Sequence, residues 1–105
     1  MKNKEKLKEA IKNIEKYSDA QSKVAEVLIE LEKNYEAIIS IQNLTKETRL
    51  TKPTVYTAID LFVKDGLLTK STNFKNTYIF NEERAQEIIG YYDHLKEYKL
   101  KTNSI

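Results

Sequence analysis

The chain lacks cysteine, and its 105 residues include one proline, two glycines and one histidine. Without cysteine it can form neither a disulfide framework nor a zinc ribbon, and this composition fits a reducing cytoplasm. His94 has no second histidine or cysteine to join it in a metal site, and the two isolated glycines form no phosphate-binding loop. We therefore expect neither a metal nor another cofactor.

Long apolar runs and low-complexity linkers are also missing. No stretch approaches the ~20 apolar residues of a membrane span, and residues 1–13 interleave charges with single apolar residues, unlike a signal peptide. Apolar residues make up 40% of the chain, which is sufficient for one core of modest size. The sequence predicts a single domain over residues 1–105, in a soluble cytoplasmic protein.

The charged residues are unevenly distributed. Residues 1–40 contain eight lysines and eight acidic residues. Residues 41–78 contain six basic and three acidic residues, and residues 79–105 contain four basic and five acidic residues. The basic excess therefore lies in the middle, where a DNA-facing surface would need it. Elsewhere the carboxylates interleave with lysines at helical spacing, which is typical of solvated faces, so we expect no enzymatic activity.

Apolar residues recur at helical spacing in several segments. They predict helices over residues 4–17, 20–33 and 42–49, and a terminal helix over residues 81–100. Ser18 or Asp19 is a suitable N-cap for the second of these helices, as is Asn81 for the last one. The β-branched run at residues 37–41 fits either a brief buried strand or the entry to a helix.

The stretch LTKPTVYTAIDLFVKDGLLTK, residues 50–70, contains the only proline. Thr51 offers a capping oxygen and Pro53 suits a first helical turn, so a helix should begin near residues 51–53. Gly66 suits the position after its C-terminus. One face of this helix carries the residues that the core should bury, namely Val55, Ile59 and Phe62.

Two β-prone runs, residues 67–70 and 77–80, flank the polar loop STNFKN and predict a β-hairpin. A winged helix-turn-helix has the same order of elements, namely a helix, a short helix, a turn, a capped helix, a glycine and a hairpin. The predicted fold class is thus mainly α with a small β-hairpin. It comprises a winged helix-turn-helix core over residues 20–80 with additional helices at residues 1–17 and 81–100.

In a helix-turn-helix, the N-terminal residues of the second helix reach base edges or phosphates in the major groove. The predicted groove-facing residues are Thr51, Lys52, Thr54, Tyr56 and Thr57. The preceding helix would offer Lys46 and Arg49 to the DNA backbone, and the hairpin would offer a polar tip to phosphates or the minor groove. The predicted wing residues are Lys70, Asn73, Phe74, Lys75 and Asn76.

Packing offers an alternative role for several of these residues. Thr51 also serves as a cap, and Tyr56 is equally consistent with a half-buried anchor. Phe74 has no obvious core to join in its loop, so we expect it to contact DNA or a neighbouring protomer. Leu61 lies roughly 130° around its helix from the centre of the apolar face. Either a dimer interface or the N-terminal helix should cover it.

The segments LTKPTVYTAIDLF and GLLTKSTNFKNTYIFNEE resemble the recognition helix and wing of TubR, the family of centromere-binding adaptors in tubulin-like (type III) plasmid and phage partition systems. The resemblance covers about residues 38–98. It implies a homodimer that coats clustered DNA repeats, represses its own operon and recruits a filament of the tubulin-like GTPase TubZ. It also implies roles for particular residues. Lys52, Thr54 and Tyr56 would contact the groove, and Leu61 would contact the other protomer of the dimer. Lys75 and its neighbours would make the wing contact.

Two other functions remain open on the sequence alone. A stand-alone winged-helix transcriptional repressor would act at one operator, whereas an adaptor would load cooperatively on repeats. A winged helix used only for protein association would use Leu61 and Phe74 as its contact surface. That module would show only weak, non-specific DNA affinity.

Overall fold

The computed structural model of the chain describes the backbone of residues 1–103 and the side chains of residues 1–99. Within that part the chain is mainly helical, and in none of its helices are length and apolar character sufficient to cross a membrane. The elements in chain order are α1 (Lys4–Asn13), α2 (Asp19–Leu31), β1 (Glu36–Ile38), α3 (Ile41–Thr48), α4 (Lys52–Lys64), β2 (Leu68–Lys70), β3 (Thr77–Phe80) and α5 (Glu82–Asn103).

The predicted hairpin is present, and a third strand completes the sheet. β2 and β3 pair in antiparallel fashion, with Leu68 opposite Phe80, and β1 pairs with the other edge of β3. The resulting strand order is β1-β3-β2. Residues 37–41 include both a strand end and a helix start, since β1 ends at Ile38 and α3 begins at Ile41. The strand is not buried throughout as predicted, because Ala37 is buried whereas Ile38 is 65% exposed. This order of helices and strands is compatible with a winged-helix-like fold.

Side-chain caps fix the start of two helices where the sequence predicts them. The Ser18 hydroxyl accepts a hydrogen bond from the Gln21 amide at 3.1 Å, and the Ser18 amide donates to the Gln21 side chain at 2.9 Å. This reciprocal pair is a capping box. At the start of α5, Asn81 Oδ1 accepts from the Arg84 amide at 3.0 Å. Both caps satisfy amides that a helix leaves without an internal partner.

The prediction that the first helix continues to residue 17 is wrong. α1 ends at Asn13, and Ile14 adopts an extended conformation. Ile14 and Tyr17 are both buried, and the Tyr17 ring packs on Phe62 of α4 with ring centroids 5.6 Å apart. The chain leaves the helix here because residues 14–17 must bury these side chains before α2 begins.

The second helix is also shorter than predicted, because it ends at Leu31 and not near residue 33. Glu32 turns inward and is buried, where its carboxylate accepts a hydrogen bond from the Tyr35 amide at 2.7 Å. Asn34 and Tyr35 both have positive φ angles and form the turn into β1. The terminal helix α5, in contrast, extends beyond the predicted residue 100 to Asn103.

The core confirms the predicted apolar face of α4. Val55, Ile59 and Phe62 are almost completely buried. α4 packs on α2, α3 and β2, while α1 packs on α2 and α5. Gly66 follows α4 with a φ of 88°, a conformation in which a side chain would be strained, as predicted for a helix C-terminus.

An ionic cluster joins the end of α4 to the start of α5 and to the segment that follows α1. Asp65 accepts hydrogen bonds from Lys16 Nζ at 2.6 Å, from the Tyr17 hydroxyl at 3.0 Å and from Arg84 Nη2 at 3.0 Å. Burial would raise the pKa of Asp65, but the hydrogen bonds from Lys16, Arg84 and Tyr17 outweigh it and hold that pKa below its usual value. The cluster therefore fixes α4 relative to α5 and the segment that follows α1.

Candidate nucleic-acid interface

α4 begins where the sequence predicts, but its cap differs from the prediction. Thr51 occupies the N-cap position, and the backbone carbonyl of Thr51 accepts from the Val55 amide at 3.0 Å. Its side chain forms no capping hydrogen bond with the backbone. Pro53 removes one of the two amides that such a cap would use, and Thr51 Oγ1 lies instead 2.8 Å from Thr54 Oγ1. The predicted side-chain cap at Thr51 is therefore wrong.

The first turns of α4 present mainly polar side chains to solvent. Thr51, Lys52, Tyr56 and Thr57 are exposed, whereas Thr54 is half-buried. The Thr57 hydroxyl donates to the Pro53 carbonyl at 2.9 Å, so one of its hydrogen-bonding directions is already used. Lys52 and Tyr56 therefore have the most freedom to reach an external ligand.

The start of α2 lies beside the start of α4. Ser18 and Gln21 line one small depression of about 230 Å³ together with Thr54 and Thr57. The pattern of residues did not predict that Ser18 and Gln21 lie beside the start of α4. The capping motif at Ser18 predicts a helix start, but it does not indicate which other helix lies next to it.

The last turn of α3 and the short connection to α4 expose the two cations predicted to contact the DNA backbone. Lys46 and Arg49 are both exposed. Arg49 ends α3 in the left-handed conformation, with φ 59° and ψ 26°, and its amide donates to the Thr45 carbonyl at 2.8 Å. This bend lets the chain enter α4 within three residues, so Arg49 at the end of α3 and Lys52 at the start of α4 lie on either side of one short connection.

The hairpin loop is an ordered polar turn. Ser71 Oγ accepts from the amides of Asn73 and Phe74, at 3.3 and 3.1 Å. Asn76 adopts a positive φ of 56° where the chain enters β3. Asn73, Phe74, Lys75 and Asn76 are all exposed, and the Phe74 side chain is 68% exposed, as its predicted contact role requires.

Lys70 does not belong to this tip, contrary to the prediction. It lies within β2, and its Nζ is 3.3 Å from Asp60 Oδ1 on α4. Tyr78 lies opposite Lys70 in the sheet. Burial raises the pKa of Tyr78, and the nearby Tyr56 and Asp60 raise it further. One exposed ion pair, between Asp60 and Lys70, therefore links the outward middle of α4 to β2.

The remaining cations of the predicted surface form no ion pairs within the described residues. In the part of the chain whose side chains are described, Lys46, Arg49, Lys52 and Lys75 have no carboxylate within 4 Å, whereas Lys70 has one. An exposed cation without an ion pair retains its full charge for an anionic ligand. The described residues also contain no cluster of side chains able to hold a metal ion.

Leu61 is half-buried and packs against the core of its own chain. Its predicted dimer contact remains a prediction.

The end of α3, the start of α4 and the wing tip are thus exposed, mainly polar segments that carry cations without ion pairs within the described residues. A nucleic-acid interface would need such cations. Comparisons with protein-family models, with curated proteins and with solved structures found no match for the chain.

Proposed function

We propose that the protein is a winged helix-turn-helix that binds double-stranded DNA as a homodimer. One observation carries the DNA-binding part of the proposal, whereas the homodimer is what the resemblance to TubR implies. Lys46, Arg49, Lys52 and Lys75 are exposed and have no ion pair within the described residues, and they lie on the elements that this fold would turn toward DNA. Neutralising phosphates with such cations releases counterions, which supplies much of the affinity of DNA-binding proteins.

The elements would divide the contacts between them. The first turn of α4 would enter the major groove, where Lys52 can reach a guanine edge or a phosphate and Tyr56 can pack against bases or sugar. Lys46 and Arg49 would hold the flanking backbone. The wing tip would bring Lys75 to the phosphates beside the adjacent minor groove.

The role that we favour is the adaptor of a tubulin-like partition system. The support for this narrower proposal is the resemblance of residues 38–98 to TubR. In that role the dimers would coat centromere repeats, repress their own operon and recruit a filament of the GTPase TubZ.

The DNA surface is tested by the salt dependence of binding. In Lys52→Ala and in Lys75→Ala the slope of log K against log salt should become shallower by roughly one unit per lost phosphate contact. Lys12→Ala is the matched control, since Lys12 is an exposed lysine on α1, outside the proposed surface. Unchanged slopes in both test variants would contradict the proposed surface.

Footprinting on the DNA upstream of the gene tests the narrower role. Regularly spaced protection of several repeats, appearing over a narrow range of protein concentration, is the result expected of an adaptor. Protection of a single palindrome would instead identify a stand-alone repressor. Absence of protection there and on a random DNA pool would favour a module that associates only with proteins.

A further inference from the structure

The tip of the hairpin carries one large apolar side chain among polar ones. Residues 71–77 read STNFKNT, and Phe74 is the apolar residue among them. Phe74 is 68% exposed, the largest exposed fraction among the large apolar residues whose side chains are described. Single exposed apolar residues are common on protein surfaces, so the exposure of Phe74 does not by itself assign it a role. The structure and the charge of the tip narrow that role.

Hydrogen bonds on both sides of Phe74 stabilise the conformation of the tip. On one side, Ser71 Oγ accepts from the Phe74 amide at 3.1 Å. On the other side, the Thr77 hydroxyl donates to the Lys75 carbonyl at 2.9 Å. The base of the loop is closed by the Ser71 amide, which donates to the Thr77 carbonyl at 2.9 Å. An ordered turn therefore carries the Phe74 ring, which lowers the entropic cost of placing it in a binding site.

The hairpin carries positive charge and no negative charge. Residues 66–81 contain no aspartate or glutamate, but they contain Lys70 and Lys75. Lys70 is paired with Asp60, whereas Lys75, next to Phe74, has no carboxylate within 4 Å among the described residues. A partner of this tip must therefore suit a cation beside an exposed aromatic ring. DNA meets both requirements, because its phosphates attract the cation and its bases stack on aromatic side chains.

We propose that Phe74 is a wedge that enters the minor groove of DNA and inserts partway between two stacked base pairs. This inference rests on the proposed function and describes how the wing contributes to it. Apolar side chains that insert in this way partly unstack one base step and bend the duplex toward the major groove. Since α4 would occupy the adjacent major groove, the bend would bring more of the duplex against the protein.

The wedge would give the protein a sequence preference without a hydrogen bond to a base. Pyrimidine–purine steps such as TA are flexible and easily unstacked, whereas A-tracts are stiff. The protein should therefore prefer DNA that has a flexible step at the position that the wing reaches. Lys75 would bind a phosphate beside this step, and that contact carries no sequence information.

A tryptophan at position 74 tests the insertion, because the unmodified chain contains no tryptophan. Phe74→Trp keeps an aromatic ring at the tip and leaves the backbone amide bonded to Ser71 in place. A duplex of alternating T and A should quench most of its fluorescence, because stacking on bases quenches indole emission. Tyr91→Trp is the matched control, since Tyr91 is a 55% exposed aromatic residue on α5, outside the proposed DNA surface. Its emission should not change.

The affinities for two duplexes of equal length and base composition test the sequence preference. One duplex alternates T and A, and the other is an A-tract. The ratio of the two affinities should be about tenfold higher for the unmodified chain than for Phe74→Ala, which retains Lys75 and the rest of the proposed surface. Phe74→Leu should restore most of the preference, because leucine also serves as a wedge. Circular dichroism of each variant verifies that the fold is retained.

Unchanged fluorescence of Phe74→Trp at saturating DNA would overturn the wedge, as would equal affinity ratios for the unmodified chain and Phe74→Ala. If Lys52→Ala and Lys75→Ala still had shallower salt slopes, the proposed DNA surface would stand without the wedge, and Phe74 would be left to contact a neighbouring protomer. If the unmodified chain bound neither duplex, the wedge and the proposed function would fail together.

Discussion

Removing the Asp65 carboxylate should destabilise the protein far more than removing an exposed carboxylate from the same helix. The Asp65 side chain is only 9% exposed and accepts hydrogen bonds from Lys16, Tyr17 and Arg84. A hydrogen bond to a charged group contributes about 1.5–3 kcal/mol, so the bonds from Tyr17 and Arg84 together contribute about 3 kcal/mol at the lower end of that range. Lys16 is half exposed, so its share is discounted. Asp65→Ala should therefore lower the free energy of unfolding by about 3 kcal/mol.

Thermal unfolding followed by circular dichroism measures this loss. For a domain of this size, about 3 kcal/mol corresponds to a fall in Tm of roughly 15 °C. Asp60→Ala is the control, because Asp60 and its partner Lys70 are 68% and 52% exposed and such a pair contributes about 0–1 kcal/mol. Equal falls in Tm for the two variants would refute the structural role assigned to the Asp65 cluster.

Three further predictions concern acid, glycine and helix capping. The folded-state pKa of Asp65 lies below its unfolded value, so its stabilisation is present above about pH 4 and is lost as the pH falls through the folded pKa. The difference in unfolding free energy between the unmodified chain and Asp65→Ala should therefore shrink on acidification, and a constant difference in urea titrations would contradict this. Gly90→Ala should stabilise the protein by about 0.5–1 kcal/mol, since Gly90 is helical with open space around it, whereas Gly66→Ala should destabilise it because of its positive φ. Calorimetry should show Tm shifts of opposite sign. Ser18→Ala should lower the free energy of unfolding by about 1 kcal/mol, because it removes the capping box. An unchanged midpoint of urea unfolding would contradict this contribution of the cap.

Local signals in the sequence predict much of the fold. Val55, Ile59 and Phe62 are buried as their spacing predicts, and Ser18 and Asn81 form the caps that their side-chain chemistry allows. These features depend on residues within one or two turns of each other. The same information fails at the end of α1, because Ile14 continues the helical spacing of Leu7 and Ile11 even though the backbone there is extended.

Contacts between distant residues could not be predicted in this way. Lys16, Tyr17 and Arg84 lie 49, 48 and 19 residues from Asp65, so no periodicity relates them. The groove of about 500 Å³ between α5 and residues 13–17 could not be predicted for a similar reason. One of its walls comes from residues 13–17, which the sequence assigned to the first helix.

The Asp60–Lys70 pair shows why counting charges along the sequence overestimates the positive charge of the proposed DNA surface. Both residues fall within the basic segment 41–78, but their contact neutralises the middle of α4 and ties that helix to β2. The available cations are therefore divided between Lys46, Arg49 and Lys52 at one end and Lys75 at the other. An unpaired Asp60 would repel phosphate from the middle of α4, and its ion pair with Lys70 reduces that repulsion, so the pair matters more for the charge of the proposed surface than for its stability.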